Sequence, residues 1–302
     1  MPDVVRVGGN GIEIRTWIGL GALTAAGLMA AAPLASSPPP SAAAPSAASA
    51  RPLLSTADRA SFKRLERSLG GRSGVAVSAL GAGGLPVRTA GTMQTAVAWS
   101  TSKVPVAMAV IAAGDEAAQR SNLRGAITRS DNAAAERLWD SLGGGQAAAD
   151  AATAQLRRAG DRRTVVQPRR LRSNFTAFGQ TSWRLSDQVR FTAGLECLSE
   201  GRAVLGLMKG VISAQRWGLG SASAGAPLKG GWGSGSKPGV AGGSIDRQLG
   251  IVTSGGRRYA VAIATAPADG SHETGTAHLT RIARWVVTHV DARSIASDPQ
   301  CG

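Results

Sequence analysis

The chain has 302 residues, and its 34 Lys and Arg against 19 Asp and Glu give a formal net charge of +15. The basic residues are scattered, apart from a run of arginines between Arg162 and Arg172, and no recognisable DNA- or RNA-binding motif accompanies them. We therefore expect no nucleic-acid partner, and we interpret the charge as compatible with anionic polymers of a cell envelope.

Residues 1–50 have the order of an export signal followed by a linker. Arg6 and Arg15 precede an apolar stretch from Trp17 to about Leu34, after which Pro, Ala and Ser dominate. Cleavage after Ala48-Ser49-Ala50 fits the A-x-A pattern, and an uncleaved membrane anchor is the alternative. Both interpretations predict export, to the extracellular space or the cell envelope, with membrane contact only through this segment. Residues 51–302 are then one working domain.

The first half of that domain is predicted to be mostly helical, with one early hairpin. Helix start and stop signals, alternating apolar residues and a nearly all-apolar run mark the elements in turn. In chain order they are a helix from Ser55 to Leu69, strands near Val77 and Val87, a buried helix from Val104 to Ala113, and Ala-rich helices to about Gly160, interrupted at Gly143 to Gly145.

The second half is predicted to end in a group of strands and one long helix. A short Gly-containing connection, Ser254-Gly255-Gly256, favours a tight hairpin between two of the strands. The elements are a helix that begins at Ser186 with the Ser186 hydroxyl as its cap, a shorter helix near Ala203 to Val211, strands Pro227 to Trp232, Ser244 to Thr253 and Arg257 to Ala264, and a helix from Glu273 to Val290.

This order predicts an α+β fold. Strands from both ends of the domain assemble into one antiparallel β-sheet, flanked by the N- and C-terminal helices, and the middle helices form a helical lobe. Ligand sites tend to lie at such a join. The two cysteines, Cys197 and Cys301, allow a disulfide between the segment after a central helix and the C-terminal tail, but sequence does not decide whether they approach each other.

Ser100-Thr101-Ser102-Lys103 stands at the entrance to the predicted buried helix. Only five of the 34 basic residues are lysine, so a lysine here is a specific choice. A desolvated Lys can lose its proton near neutral pH, whereas Arg cannot, and a spacing of three places Ser100 and Lys103 on one helix face. The alternative is that Ser100 only caps the helix and Lys103 extends into water.

Two further short motifs carry polar groups. Ser130-Asp131-Asn132 precedes a helical run, where the same residue types also serve as ordinary caps. Lys229-Gly230-Gly231, followed by Trp232, lies on the first strand of the C-terminal group, and the alternative there is a Gly-rich edge strand with a surface lysine. Each motif alone has an unremarkable structural interpretation.

Together, in the order S-x-x-K, S-D-N and K-x-G, the motifs resemble those of the serine β-lactamase and penicillin-binding protein superfamily, in particular the class A branch. The resemblance implies that Ser100 is the acylated nucleophile, that Lys103 activates it, and that Ser130 relays a proton to the leaving nitrogen.

The resemblance also implies how a substrate is held. Asn132 holds its amide side chain, and Lys229 attracts its carboxylate. Trp232, which follows Gly231 on the strand, supplies one of two backbone N–H groups of an oxyanion hole, and Ser100 supplies the other.

Three departures from the class A pattern bear on function. The interval between Ser100 and Ser130 is short, which implies a trimmed helical lobe, and Gly230 lacks the hydroxyl that usually occupies the middle of the third motif. Gln167-Pro168 stands where Glu-Pro is expected, and an amide cannot act as a general base. The nearby Asp161 is poorly spaced to replace it. Slow deacylation is therefore expected.

These features predict a monomeric serine hydrolase that acts on a β-lactam or a peptidoglycan-type amide, a small-molecule or peptide substrate, without a metal or cofactor. His272, His278 and His289 do not have the spacing of a metal triad, and we interpret them as surface or packing residues. The alternative is a non-catalytic cell-envelope binding protein on the same scaffold. The altered third motif, the missing Glu and the positive charge favour that alternative, whereas the intact first two motifs oppose it.

Overall fold

The computed structural model describes residues 52–235 and 243–301. The predicted export signal and linker, residues 1–50, lie outside the described residues, and so does the choice between a cleaved signal and an anchor. Within the described ranges, no helix combines the length and the apolar character that a membrane crossing needs.

The described residues form nine α-helices. The first, α1, begins with a capping box in which Ser55 accepts from the Asp58 amide and the Asp58 carboxylate accepts from the Ser55 amide, and it ends at Gly70. The helices are α1 (Thr56–Leu69), α2 (Lys103–Ala112), α3 (Arg120–Thr128), α4 (Asn132–Ser141), α5 (Gly145–Arg158), α6 (Leu185–Gly194), α7 (Ser199–Lys209), α8 (Leu219–Ala222) and α9 (His272–His289).

Seven strands form two sheets within the same residues. Their ranges are β1 (Arg72–Ala79), β2 (Val87–Gly91), β3 (Thr95–Val97), β4 (Ser182–Arg184), β5 (Leu228–Ser234), β6 (Ser244–Ser254) and β7 (Arg257–Ala266). The main sheet has the order β2-β1-β7-β6-β5, and every neighbouring pair is antiparallel. A second, two-stranded sheet pairs β3 with β4. Strand β5, which carries the third motif, is an edge of the main sheet.

Side-chain size differs between the two faces of the main sheet. On β7, the bulky Tyr259, Val261 and Ile263 belong to the core shared with α1 and α9, because alternate residues of a strand point to one face. The intervening small side chains, Ala260 and Ala262, face the opposite core, where α6 packs on β1 and β7. Small residues on that face let α6 and the helical lobe approach the sheet closely.

The predicted α+β architecture is confirmed, with two local corrections. Helix α6 begins at Leu185, one residue before Ser186, and no side chain caps it, so the Ser186 cap was wrong. The small sheet of β3 and β4 was not predicted, because three-residue strands give no periodic signal.

The two cysteines form a disulfide. Cys197 follows α6 and Cys301 lies in the C-terminal tail, and their Cα atoms are 5.2 Å apart. The pairing that the sequence left open is therefore present. It fixes the tail to the helical lobe across 104 residues of chain.

Candidate active site

Ser100 lies in a 3-10 turn, Trp99–Ser102, that leads directly into α2. The sequence placed Ser100 at the start of the buried helix, and the structure moves it into this turn. Trp99 has φ 47°, a left-handed conformation that is costly for a bulky side chain. Ser130 has φ 60°. In the described part of the chain these are the two non-glycine residues with positive φ, and both belong to predicted site segments, where strain tends to concentrate.

Lys103 is buried, with 1% of its surface exposed, which excludes the alternative of a lysine that extends into water. Its Nζ donates to Ser130 O at 2.5 Å and to Asn132 Oδ1 at 2.8 Å, with a longer contact of 3.4 Å to Ser130 Oγ. The Lys103 backbone N–H donates to Ser100 O, but within the described residues no hydrogen bond joins Lys103 Nζ to the hydroxyl of the half-buried Ser100. The first and second motifs are therefore connected by the ammonium of Lys103.

Burial lowers the pKa of Lys103 to about 7, against the opposing charges of Asp131 and Glu136. A lysine with that pKa is substantially neutral at physiological pH, and a neutral amine can accept a proton.

The second motif lies at the junction of α3 and α4. Asp131 is the N-cap of α4 and accepts a hydrogen bond from the Ala134 amide at 3.0 Å, so the ordinary cap interpretation holds for this residue. Ser130 and Asn132, on either side of it, instead engage Lys103. One tripeptide thus combines a cap with two contacts to the first motif.

The third motif meets the second through Lys229, which is completely buried. Its Nζ donates to Ser130 Oγ at 2.8 Å and to Gly230 O at 2.8 Å. Burial, and then the charge of Lys103, lower the pKa of Lys229 well below its usual range. The interpretation of Lys229 as a surface lysine was wrong, although its strand is an edge.

Strand β5 passes very close to the Ser100 turn. A Cβ at Gly231 would lie 2.9 Å from Ser100 N and 3.0 Å from Ala98 O, so only glycine fits there without displacement of the backbone. The next residue, Trp232, is the one whose backbone N–H was predicted to face an oxyanion together with that of Ser100. The close approach of Gly231 brings that segment of β5 against the Ser100 amide.

The ring of Trp217 leaves little room for a side chain at Gly230, the position in the third motif that lacks a hydroxyl. A Cβ at Gly230 would lie 3.0 Å from the ring of Trp217, which stands edge-on to Trp232 with ring centroids 6.1 Å apart. The His272 ring stacks on Trp232 at 5.2 Å, and its Nδ1 contacts the buried Asp246 carboxylate. An aromatic cluster of Trp217, Trp232 and His272 thus lies beside the strand that lacks the hydroxyl.

A buried arginine is linked by hydrogen bonds to the segment before the Ser100 turn and, through Gln188, to the turn itself. Arg247, on β6 opposite Gly231, donates to Ala96 O at 2.8 Å, to Val97 O at 3.0 Å and to Gln188 Oε1 at 2.6 Å. Gln188 in turn donates to Thr101 Oγ1 at 3.0 Å. Burial lowers the pKa of Arg247 to about 9.

Sequence reasoning missed Arg247 and the aromatic cluster. The only available signal for Arg247 was a charged residue inside an apolar strand. The cluster has none, because its three rings come from distant parts of the chain.

The loop between α5 and β4 carries Gln167, an amide, at the position where a Glu carboxylate was expected. The Gln167 backbone N–H donates to Thr181 Oγ1 at 3.0 Å. The Gln167 side-chain oxygen accepts from the Arg169 backbone N–H at 3.1 Å. Asp161 is fully buried and accepts from Trp183 Nε1 at 2.8 Å and from the Thr164 amide at 3.0 Å. Within the described residues, neither side chain forms a hydrogen bond with Ser100 or Lys103.

The same loop contacts the end of β5. Arg172 Nη1 donates to Ser234 O at 2.9 Å and to Gly235 O at 2.7 Å, and its guanidinium lies over the Phe175 ring at 4.1 Å. Arg170 pairs with Glu136 of α4 at 3.0 Å. The loop is therefore fastened to both sides of the candidate site.

The three histidines lie on α9, and they occupy surface or packing positions. His272 is exposed, His278 is buried and His289 stacks on Trp285 at 4.6 Å. Among residues 52–235 and 243–301, no group of three or more His, Cys, Asp or Glu side chains is arranged to hold a metal ion.

Solved structures of similar architecture include class A β-lactamases. The class A β-lactamase from Mycobacterium abscessus is 17% identical, with 76% of this chain and 98% of that chain covered at a TM-score of 0.59. An ancestral class A β-lactamase is 19% identical, with 76% and 99% covered at 0.58. That of the last common ancestor of Gram-negative bacteria is 22% identical, with 77% and 98% covered at 0.57.

No protein-family description and no curated protein matches the sequence. At these low identities the structural likeness shows the fold alone. The chain therefore has the class A β-lactamase fold, which confirms the resemblance inferred from the three motifs at the level of the fold.

Proposed function

We propose that the protein is a serine hydrolase that forms an acyl-enzyme at Ser100 with a β-lactam or a peptidoglycan-type amide. The observation that carries this proposal is the position of Ser130 Oγ. It accepts from Lys229 at 2.8 Å and lies 3.4 Å from Lys103 Nζ, so all three motifs meet at one hydroxyl. A fold alone does not require that convergence.

The two lysine contacts determine where the hydroxyl hydrogen of Ser130 can point. A hydroxyl has two acceptor sites and one hydrogen to donate, and once Lys103 has taken a proton the two lysine side chains occupy both acceptor sites of Ser130 Oγ. Its hydrogen is then directed to a third group, and in the proposed reaction that group is the leaving nitrogen of the substrate. This supports Ser130 as the proton relay.

Lys103 is the proposed base for Ser100. Its pKa of about 7 supplies a neutral amine at physiological pH, and it lies one helical turn after Ser100. The ammonium donates to Ser130 and Asn132 in the resting structure, and catalytic hydrogen bonds often form only when substrate is bound. Lys103 takes the Ser100 proton as the Ser100 oxygen attacks the carbonyl carbon.

Binding and charge stabilisation are assigned to the remaining residues. The backbone N–H groups of Ser100 and Trp232 stabilise the developing oxyanion, and the close approach at Gly231 supports this pairing. Asn132 holds the amide side chain of the substrate. In its protonated form, which a bound anion favours, Lys229 attracts a substrate carboxylate.

Export is part of the proposal. The apolar and Pro-rich N-terminal segment supports it, as does the disulfide, because disulfides persist mainly in oxidising compartments. The net charge of +15 supports contact with anionic envelope polymers, and we propose that the protein acts as a monomer.

Mass spectrometry tests the proposal against the non-catalytic alternative. The purified protein and its Ser100→Ala variant are each mixed with benzylpenicillin, and intact mass is followed over time. The expected result is an increment equal to one penicillin on the parent protein and none on the variant. If neither protein gains mass nor consumes penicillin, an acyl-enzyme with β-lactams is excluded and the envelope-binding alternative gains support.

A further inference from the structure

Release of an acyl group from Ser100 needs a base that activates water, and Gln167 cannot serve. Its side-chain oxygen is already engaged by the Arg169 amide, and an amide is not a general base. The base must therefore come from another acid that surrounds the site.

Most neighbouring acids are fully engaged in structure. Asp131 caps α4 through the Ala134 amide. Asp161 is buried and bound to Trp183 and to backbone amides. Asp246, also buried, contacts Ser244 and His272 behind the β5 strand. Each of these carboxylates is therefore held by hydrogen bonds that stabilise the fold around the site.

Glu136 differs from these acids in both position and partner. It follows Asn132 by four residues on α4, so the two side chains lie on one face of the helix. That face is at the site, because Asn132 accepts from Lys103 at 2.8 Å. The Glu136 side chain is 24% exposed, which leaves it accessible to water.

The partner of Glu136 places its carboxylate between α4 and the loop. Glu136 pairs with Arg170 at 3.0 Å, only three residues after Gln167. Its negative charge also opposes the burial effect on the pKa of Lys103, together with that of Asp131. Glu136 therefore lies between the Lys103 side of the site and the loop in which the acid is missing.

We infer that Glu136 is the general base that activates water for release of the acyl group from Ser100. The inference rests on the proposed acyl-enzyme. Glu136 takes a proton from water as the water oxygen bonds to the acyl carbon, and the bond between that carbon and Ser100 Oγ then breaks. The proton passes to Ser100 Oγ, which restores the hydroxyl, and the product leaves as a carboxylic acid. Arg170 positions the Glu136 carboxylate.

Release kinetics test this inference separately from acylation. The parent protein, Glu136→Gln and the matched control Asp140→Asn, an exposed acid one turn further along α4, are each acylated with benzylpenicillin. Free penicillin is removed, and loss of the adduct is followed by intact mass. We expect the adduct to form on all three proteins. Its release from Glu136→Gln should be on the order of 100-fold slower than from the parent, the scale of general-base catalysis.

The outcomes separate the two claims. Equal release from the three proteins would overturn the role of Glu136, and so would a parent adduct that never hydrolyses, while both would leave acylation at Ser100 intact. Absence of any adduct and of any hydrolysis on the parent would instead contradict the proposed function and, with it, this inference. Should Glu136→Gln fail to fold, Glu136→Asp keeps the charge but withdraws the carboxylate, and release of intermediate rate is expected.

Discussion

The motif side of the candidate site and the loop side differ in what their polar groups contact. On the motif side, Lys103 and Lys229 both contact Ser130, and the three residues come from different sequence motifs. On the loop side, Gln167 turns back to the Arg169 amide, and Arg172 fastens the loop to Ser234. The groups to which we assign acylation therefore lie on the motif side, whereas Gln167 in the loop carries an amide in place of a carboxylate.

This difference separates two steps that one active site usually combines. In the proposed reaction, acylation depends on a neutral amine, a relay hydroxyl and an oxyanion site, which we assign to residues of the motif side. Release depends on a general base, and Gln167 in the loop is not one. We infer that Glu136 on α4 is this base. Changes on the two sides should therefore affect different steps.

The largest effect is expected from Lys103→Arg. A guanidinium cannot give up its proton at physiological pH, so the variant has no base for Ser100. The acylation rate should fall by about 100-fold to 10,000-fold. Stopped-flow measurement with a chromogenic cephalosporin checks this, and an acylation rate equal to that of the parent would show that another group activates Ser100.

A smaller loss is expected from Gly231→Ala. The added methyl group would meet Ser100 N at 2.9 Å and Thr101 N at 3.0 Å, and both are backbone atoms that cannot swing aside. The displacement should slow acylation by about 100-fold. Gly206→Ala is the matched control, because a Cβ there meets nothing within 4 Å on an exposed position of α7. That control should acylate normally and unfold at a slightly higher temperature. Equal acylation by both variants would contradict the close approach of β5.

The pH dependence of acylation should follow Lys103. Below its pKa of about 7 the amine is protonated and cannot accept the Ser100 proton, so the rate should rise with pH and level off above that value. The rise should be about tenfold per pH unit on the acidic side. Acylation rates measured between about pH 5 and 9 check the sign. A rate that falls as pH rises through 7 would show that the charged amine is the active form.

The smallest effect is expected from Gln167→Glu. The side chain at this position folds back to the Arg169 amide, which a carboxylate would accept from equally well. Release of the acyl group should therefore stay at the rate of the parent. Faster release in this variant would mean that the loop faces the acyl group and can supply the base for its release.

The elements that sequence predicted best have strong local signals. The capping box at Ser55, the buried run of α2 and the hairpin of β6 and β7 all follow from neighbouring residues. The small sheet of β3 and β4 depends on a pairing between distant segments, and no local pattern marks it.

In the candidate site, too, features built from residues distant in sequence could not be predicted. The three motifs were readable because each is a short run with a fixed spacing. Arg247 and the cluster of Trp217 and Trp232 became visible only in three dimensions, because the acceptors and rings that they meet are distant in sequence. Glu136 did have a signal, its spacing of four from Asn132, but nothing in the sequence placed that helix face against the loop.

Peptide mapping of the acylated protein tests the central claim most directly. The parent protein is mixed with benzylpenicillin, quenched in acid and digested, and the modified residue is located by tandem mass spectrometry. We predict one penicilloyl group on Ser100 and no modification of Ser102 or Ser130. A penicilloyl group on another residue, with Ser100 unmodified, would contradict the assignment of Ser100 as the nucleophile.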